Sequence, residues 1–198
     1  MPNGVYNIPF PENEPVLGYA PGSPEKAELE AAYQELYNSV IDVPMYIGNQ
    51  EVTTDNKLPL NPPHEHAKVI GHGNMGDKTH VQAAIDAALS AKNDWANLGW
   101  EHRAAIFLKA ADLLAGPFRA RMNAATMLGQ SKNAMQAEID ASCELIDFFR
   151  YNAYFMQQVY SEQPDSSPGV WNRLEYRPLE GFVFAITPFN FTSIAANL

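Results

Sequence analysis

Apolar residues recur every three or four positions along three stretches of this chain, and each stretch predicts a helix. The longest runs from about Asn133 to Tyr160, where Met135, Ile139, Ser142, Ile146, Phe149, Ala153, Met156 and Tyr160 form one unbroken stripe. Such a stripe reads first as core packing. A second helix over 101–115 carries Phe107, Ala111 and Leu114, and Gly116-Pro117 ends it. A third, over 77–95, places Val81, Ile85, Ala88 and Trp95 on one side. Ahead of these, Ser23 as N-cap and Pro24 at the first helical position open a helix running to about Tyr37.

Strand signals are shorter. Met45–Val52 predicts a hairpin around Gly48-Asn49, and Ala67–Ile70 a single strand. Trp171–Arg177 and Gly181–Thr187 predict two more. The second is apolar throughout from Phe182 to Ile186, as expected of a strand covered on both faces of a parallel sheet. Pro188 ends it, and a helix begins at Thr192 and runs toward Leu198. Residues 1–24, rich in Pro, Gly and Asn, read as an extended arm, and 163–169 as a loop. The order of elements implies an α/β fold that is incomplete, because a parallel strand needs a neighbour and its helix a surface to cover.

Composition narrows the partners. Thirteen Lys and Arg against 23 Asp and Glu give a formal charge of -10, which repels phosphate backbones and argues against nucleic acid. One cysteine, Cys143, excludes an internal disulfide framework and fits a reducing compartment. No stretch reaches the roughly 20 apolar residues of a membrane span. The N-terminus has neither a secretory h-region nor an Arg-rich presequence, so a cytoplasmic protein is expected, or a mitochondrial matrix one if a presequence has been removed.

Several constellations invite chemistry, and most have a plainer reading. Gly71-His72-Gly73-Asn74-Met75-Gly76 spells a dinucleotide fingerprint, yet no second parallel strand follows its helix, so a plain glycine loop is expected. His64-Glu65-His66 lacks the ligand number and spacing of a zinc site and reads as a solvated loop. Cys143 has no histidine near it in sequence and reads as a small buried hydrophobe. Glu144 lies off the apolar stripe, near Asp140, Asp147 and Tyr151, and reads as part of an acidic face. The remaining cluster, Ile186-Thr187-Pro188-Phe189-Asn190-Phe191, sets an amide directly after a buried strand. Ligands of α/β folds bind at such carboxyl ends, so Asn190 is either a helix cap or an oxyanion donor.

The segment Leu179–Phe191 resembles the strand and loop of the aldehyde dehydrogenase superfamily, with Phe189 where Trp is commoner. Asn61-Pro62, the helix ending in Trp95, Arg103–Leu114, Gly129-Gln130-Ser131-Lys132 and Gln136–Asp140 also match, so the resemblance spans essentially all of the chain. Glu14–Leu17, Pro21–Glu25, Glu144–Ala153 and Pro188–Thr192 resemble the branch that oxidises glutamate semialdehyde.

That resemblance implies an NAD cofactor, a small-molecule aldehyde substrate and a homo-oligomer at full length. It makes Asn190 the oxyanion stabiliser, and Ile186, Thr187, Pro188 and Phe189 the nicotinamide side of the cofactor site. It places Phe191 beside the substrate chain and Glu144 at the substrate's amino group; the residue spacings themselves predict no metal site. Residues 1–60 would form an arm, helix and hairpin, and 61–198 part of an NAD-binding domain. The family's nucleophilic cysteine and general-base glutamate fall beyond Leu198, so these 198 residues alone are expected to be inactive. Another semialdehyde dehydrogenase, or a non-catalytic paralogue acting in assembly, are the competing readings.

Overall fold

The computed structural model describes residue 4 and residues 6–196. Ser23 caps the first helix, α1 (Pro24–Asn38), accepting from the Lys26 amide at 3.4 Å. Then come β1 (Ile41–Val43) and the hairpin β2 (Met45–Ile47) and β3 (Gln50–Val52), whose turn uses Gly48 at φ +61°. Next are β4 (Lys57–Leu60), β5 (Gly71–Asn74), α2 (Lys78–Asn97), α3 (Trp100–Ala115) and α4 (Arg119–Gln130). A short α5 (Ala134–Ala137) continues through a π-helical turn (Glu138–Cys143) into α6 (Glu144–Ser161).

Helix pairs make the core. Leu29 and Leu36 of α1 pack on Ala124 and Leu128 of α4, and Ala111 and Leu114 of α3 on Leu145, Ile146 and Phe149 of α6. Each fully buried Leu or Ile here contributes about 1.5–3 kcal/mol. A three-stranded sheet runs β1-β5-β4, with β1 parallel and β4 antiparallel to β5, so it joins residues on both sides of position 60.

The arm holds an extended course along α6 and the π turn. Gln157 accepts from the Ile8 amide at 2.5 Å, Phe10 meets Tyr154 edge-on at 5.3 Å, and the Leu17 amide reaches Glu138 at 2.8 Å.

Several expectations need correction. The glycine run 71–76 is not a plain loop: 71–74 is the central strand, while the expected strand 67–70 only leads into it. Gly71 is required by close approach, since a Cβ there would sit 2.8 Å from the Ile41 carbonyl oxygen. Gly71 therefore serves strand packing, not a phosphate turn.

Trp171–Arg177 and Gly181–Thr187 are irregular and exposed instead of being strands, because no described residue pairs with them. Thr192–Leu198 contributes only a 3-10 turn at Ile194–Ala196, with 197–198 outside the described residues. The α2 stripe is not core: the helix buries no residue, and Val81 and Trp95 are exposed.

Helix α4 was not expected at all. Its buried face carries Arg119, Asn123 and Thr126 beside Ala124 and Leu128, so hydrophobic periodicity gives no signal there. In the long helix the stripe holds from Ser142 onward, but Met135 and Ile139 are exposed and Ala137 and Glu138 are buried in their place. The π turn adds a residue and shifts the phase.

Candidate active site

The π turn sets the geometry around Glu144, whose amide donates to the Ile139 carbonyl five residues back. Such turns are rare and recur at functional sites. This one is held by Glu138, a fully buried carboxylate whose partners come from three directions. Arg119 binds both its oxygens, the Tyr19 hydroxyl donates at 2.6 Å, the Asn123 amide at 2.8 Å and the Leu17 backbone amide at 2.8 Å. Burial pushes the Glu138 carboxyl up, yet these donors win and hold it at about 2. Arg119 also reaches Glu14 at 2.5 Å and the Pro15 carbonyl at 2.7 Å, and Arg150 takes the other Glu14 oxygen at 2.7 Å. A buried ion network thus pins the arm to α4, the π turn and α6.

Glu144 is half-buried and lines an open depression of about 560 Å³ with Asn13, Asp147, Phe148, Tyr151, Asn152 and Phe155. Burial, then the neighbouring Asp140, raises its carboxyl above the usual range, while Lys132 pulls it down. Among the described residues its carboxylate has no hydrogen-bond or ion-pair partner. It is partly covered, where its position off the stripe suggests a fully solvated acid.

Lys132 links this helix to the loop at 189–192. Its Nζ donates to Asp140 at 2.6 Å and to the Asn190 carbonyl at 2.7 Å, and lies 4.5 Å from the Phe191 ring centre. Gln130, with its amide oriented to satisfy both ends, donates to the Asn190 carbonyl at 3.1 Å and accepts from the Phe191 and Thr192 amides at 3.1 and 2.9 Å. Thr126 donates to the Thr192 hydroxyl at 2.8 Å. The loop is irregular but firmly held, and the side-chain amide of Asn190 is exposed and unpartnered among the described residues.

Of the residues singled out in the sequence, Asn190 and Phe191 gather around Lys132, which also holds Asp140, four residues before Glu144. Ile186 and Phe189 lie at 83% and 95% exposure, a bare apolar ledge leading into Asn190. Cys143 is buried, with its thiol pushed up to about 12 by burial and then by Glu138. It is a packing residue. His64 bonds Ser131 at 2.8 Å and Glu65 accepts from Tyr37, and no group of three potential metal ligands occurs among the described residues. Sequence reasoning assigned no role to Asn13, Arg119, Lys132, Glu138 or Asp147. The Gly129–Lys132 motif was the signal for Lys132, and for Asn13 only proximity to Glu14–Leu17 hints at a contact.

With this geometry in view, the aldehyde dehydrogenase family model matches residues 51–197, and the chain belongs to that family. It is 51% identical over 196 residues to the delta-1-pyrroline-5-carboxylate dehydrogenase of Agaricus bisporus, covering 98% of this chain and 36% of that protein. It is 47% identical over 196 residues to the mitochondrial delta-1-pyrroline-5-carboxylate dehydrogenase of Emericella nidulans, covering 98% and 34%. The solved delta-pyrroline-5-carboxylate dehydrogenase of Mycobacterium tuberculosis bound with NAD superposes with a TM-score of 0.96 at 52% identity, over 99% of this chain and 37% of that one. The chain spans about a third of the length of these relatives. Among the described residues no helix is long and apolar enough to cross a membrane.

Proposed function

We propose that this chain contributes the substrate-facing and nicotinamide-facing part of an NAD-dependent dehydrogenase. The substrate is L-glutamate γ-semialdehyde, the open form of 1-pyrroline-5-carboxylate, and the product is L-glutamate, in proline breakdown. The observation that carries the substrate is Glu144: an unpartnered carboxylate in an aromatic-walled depression suits a substrate ammonium, through a charge-assisted hydrogen bond. Relatives named for that activity, matching over nearly all of the chain, support the same reading.

Each remaining residue then has a role. Asn190 donates its amide to the oxyanion formed when a nucleophile adds to the aldehyde carbon, a contribution on the order of 3 kcal/mol. Phe191 lies along the aliphatic chain between the two ends of the substrate. Bound NAD would supply the hydride acceptor, and the Ile186–Phe189 ledge would lie along its nicotinamide side; the exposure of Ile186 and Phe189 suits that contact. Residues 61–198 would be part of the NAD-binding domain, and residues 1–60 its flanking arm, helix and hairpin. A homo-oligomer in the cytoplasm is the expected setting, with the mitochondrial matrix as the alternative that the Emericella nidulans relative's name supports.

The test is steady-state NADH formation by the enzyme expressed from its whole gene, with pyrroline-5-carboxylate and with 5-oxopentanoate, the same aldehyde chain without the amino group. Preference for the amino substrate, abolished by Glu144→Gln, is the expected result. Equal use of both by the unmutated enzyme would overturn the substrate assignment.

A further inference from the structure

Three carboxylates follow one another from the π turn into α6, at spacings of four and three residues: Asp140, Glu144 and Asp147, the last two lining the depression. Left alone, all three would compete for a cation, because residues so spaced are neighbours on a helix surface. They are not left alone. Asp140 is paired with Lys132 at 2.6 Å. Asp147 is occupied on both oxygens by the arm: the Asn13 side-chain amide donates to Oδ2 at 2.6 Å and the Glu14 backbone amide to Oδ1 at 2.7 Å. Glu144, between them, has no such partner among the described residues.

We propose that Asn13 is a specificity-determining residue: by occupying Asp147 it leaves Glu144 as the acid of this face open to the substrate's ammonium. The proposal rests on the reading of Glu144 given above. Asn13 is suited to the task on three counts. It lines the same depression as Glu144, so it forms part of the wall the ligand meets. Its amide is engaged at both ends, with Tyr151 donating to its Oδ1 at 3.2 Å, which fixes the orientation of the group that faces Asp147. Its backbone neighbour Glu14 is clamped by Arg119 and Arg150, so the arm cannot drift without breaking a buried ion network. Specificity here is a difference of affinities, and removing a competing site sharpens it as much as adding a contact.

The experiment compares kcat/KM for pyrroline-5-carboxylate and 5-oxopentanoate in the whole enzyme and in Asn13→Ala, Asp147→Asn, the double variant and Glu144→Gln. Asn13→Ala should lower the ratio of the two constants five- to tenfold, chiefly through KM for the amino substrate. The double variant should return it to within twofold of the unmutated enzyme, because the competing charge is gone. A merely structural arm contact would slow both substrates alike and would not be rescued by Asp147→Asn. An unchanged ratio in Asn13→Ala, or losses that multiply in the double variant, overturns the proposal. Should Asn13→Ala not fold, Asp147→Asn decides: a ratio within twofold supports the proposal, and a fall to the Glu144→Gln level overturns it. A Glu144→Gln enzyme with an unaltered ratio marks failure of the underlying substrate reading instead.

Discussion

Lys132 donates from its Nζ to the main-chain carbonyl oxygen of Asn190 at 2.7 Å, and with Gln130 and Thr126 it holds the loop that carries the proposed oxyanion amide. The same group holds Asp140 at 2.6 Å, which couples that loop to the helix bearing Glu144. Lys132 thereby ties together the two elements that carry the ends of the proposed substrate site.

Lys132→Met keeps the stem and removes the charge. It should lower kcat by about tenfold with the non-amino aldehyde, a fraction of the 10²–10³ that loss of a whole oxyanion donor costs, and with the amino aldehyde it should raise KM as well, because Asp140 is left free beside Glu144. Glu144→Gln should instead act on the amino substrate alone. Steady-state kinetics on both substrates separate the two.

Glu144→Gln should also stabilise the protein slightly near neutral pH. The carboxyl is raised by burial and by Asp140, so its charged form is disfavoured in the fold. A raised acid gives stability that grows as pH falls through its folded value. The gain from Gln should therefore be present at pH 7 and vanish in acid. Thermal midpoints of the two proteins between pH 4 and 7.5 check the sign.

Arg119→Met should be severe, because it leaves Glu138 as an uncompensated buried charge, at a cost of about 3–5 kcal/mol. The arm should come away with it, making residues around Asn13 and Glu14 newly sensitive to limited proteolysis. In the intact protein Glu138 is depressed to about 2 from an ordinary 4.5. Its contribution is full above 4.5 and is lost as pH falls toward 2, so acid unfolding should steepen in that window and flatten in Glu138→Gln.

Cys143→Ala should leave turnover within about twofold, and the native thiol should resist alkylation at pH 8. Its thiolate is disfavoured by burial and by Glu138. Mass spectrometry after iodoacetamide, with and without denaturant, gives the answer; rapid labelling of the folded protein would count against an inert thiol.

The helices were legible where apolar residues carry the burial, as in α3 and in α6 from Ser142 onward. They were illegible where polar residues do. Helix α4 turns Arg119, Asn123 and Thr126 inward, and the π turn puts Glu138 where a stripe would demand an apolar residue. Periodicity cannot register a core built of hydrogen bonds. The 181–187 segment has the composition of a buried strand, but a ladder needs a partner, and composition says nothing about its presence. Glu144 and Asn190 entered through resemblance. The hold of Lys132 on Asn190, and the occupation of Asp147 by Asn13, are contacts across 58 and 134 positions of sequence that no local pattern encodes.

The most direct measurement is NADH production by the enzyme from its whole gene, with pyrroline-5-carboxylate and 5-oxopentanoate side by side and Glu144→Gln in parallel. The account predicts a clear preference for the amino substrate that Glu144→Gln erases while turnover of 5-oxopentanoate persists. Turnover of both substrates at equal efficiency, untouched by Glu144→Gln, would contradict it.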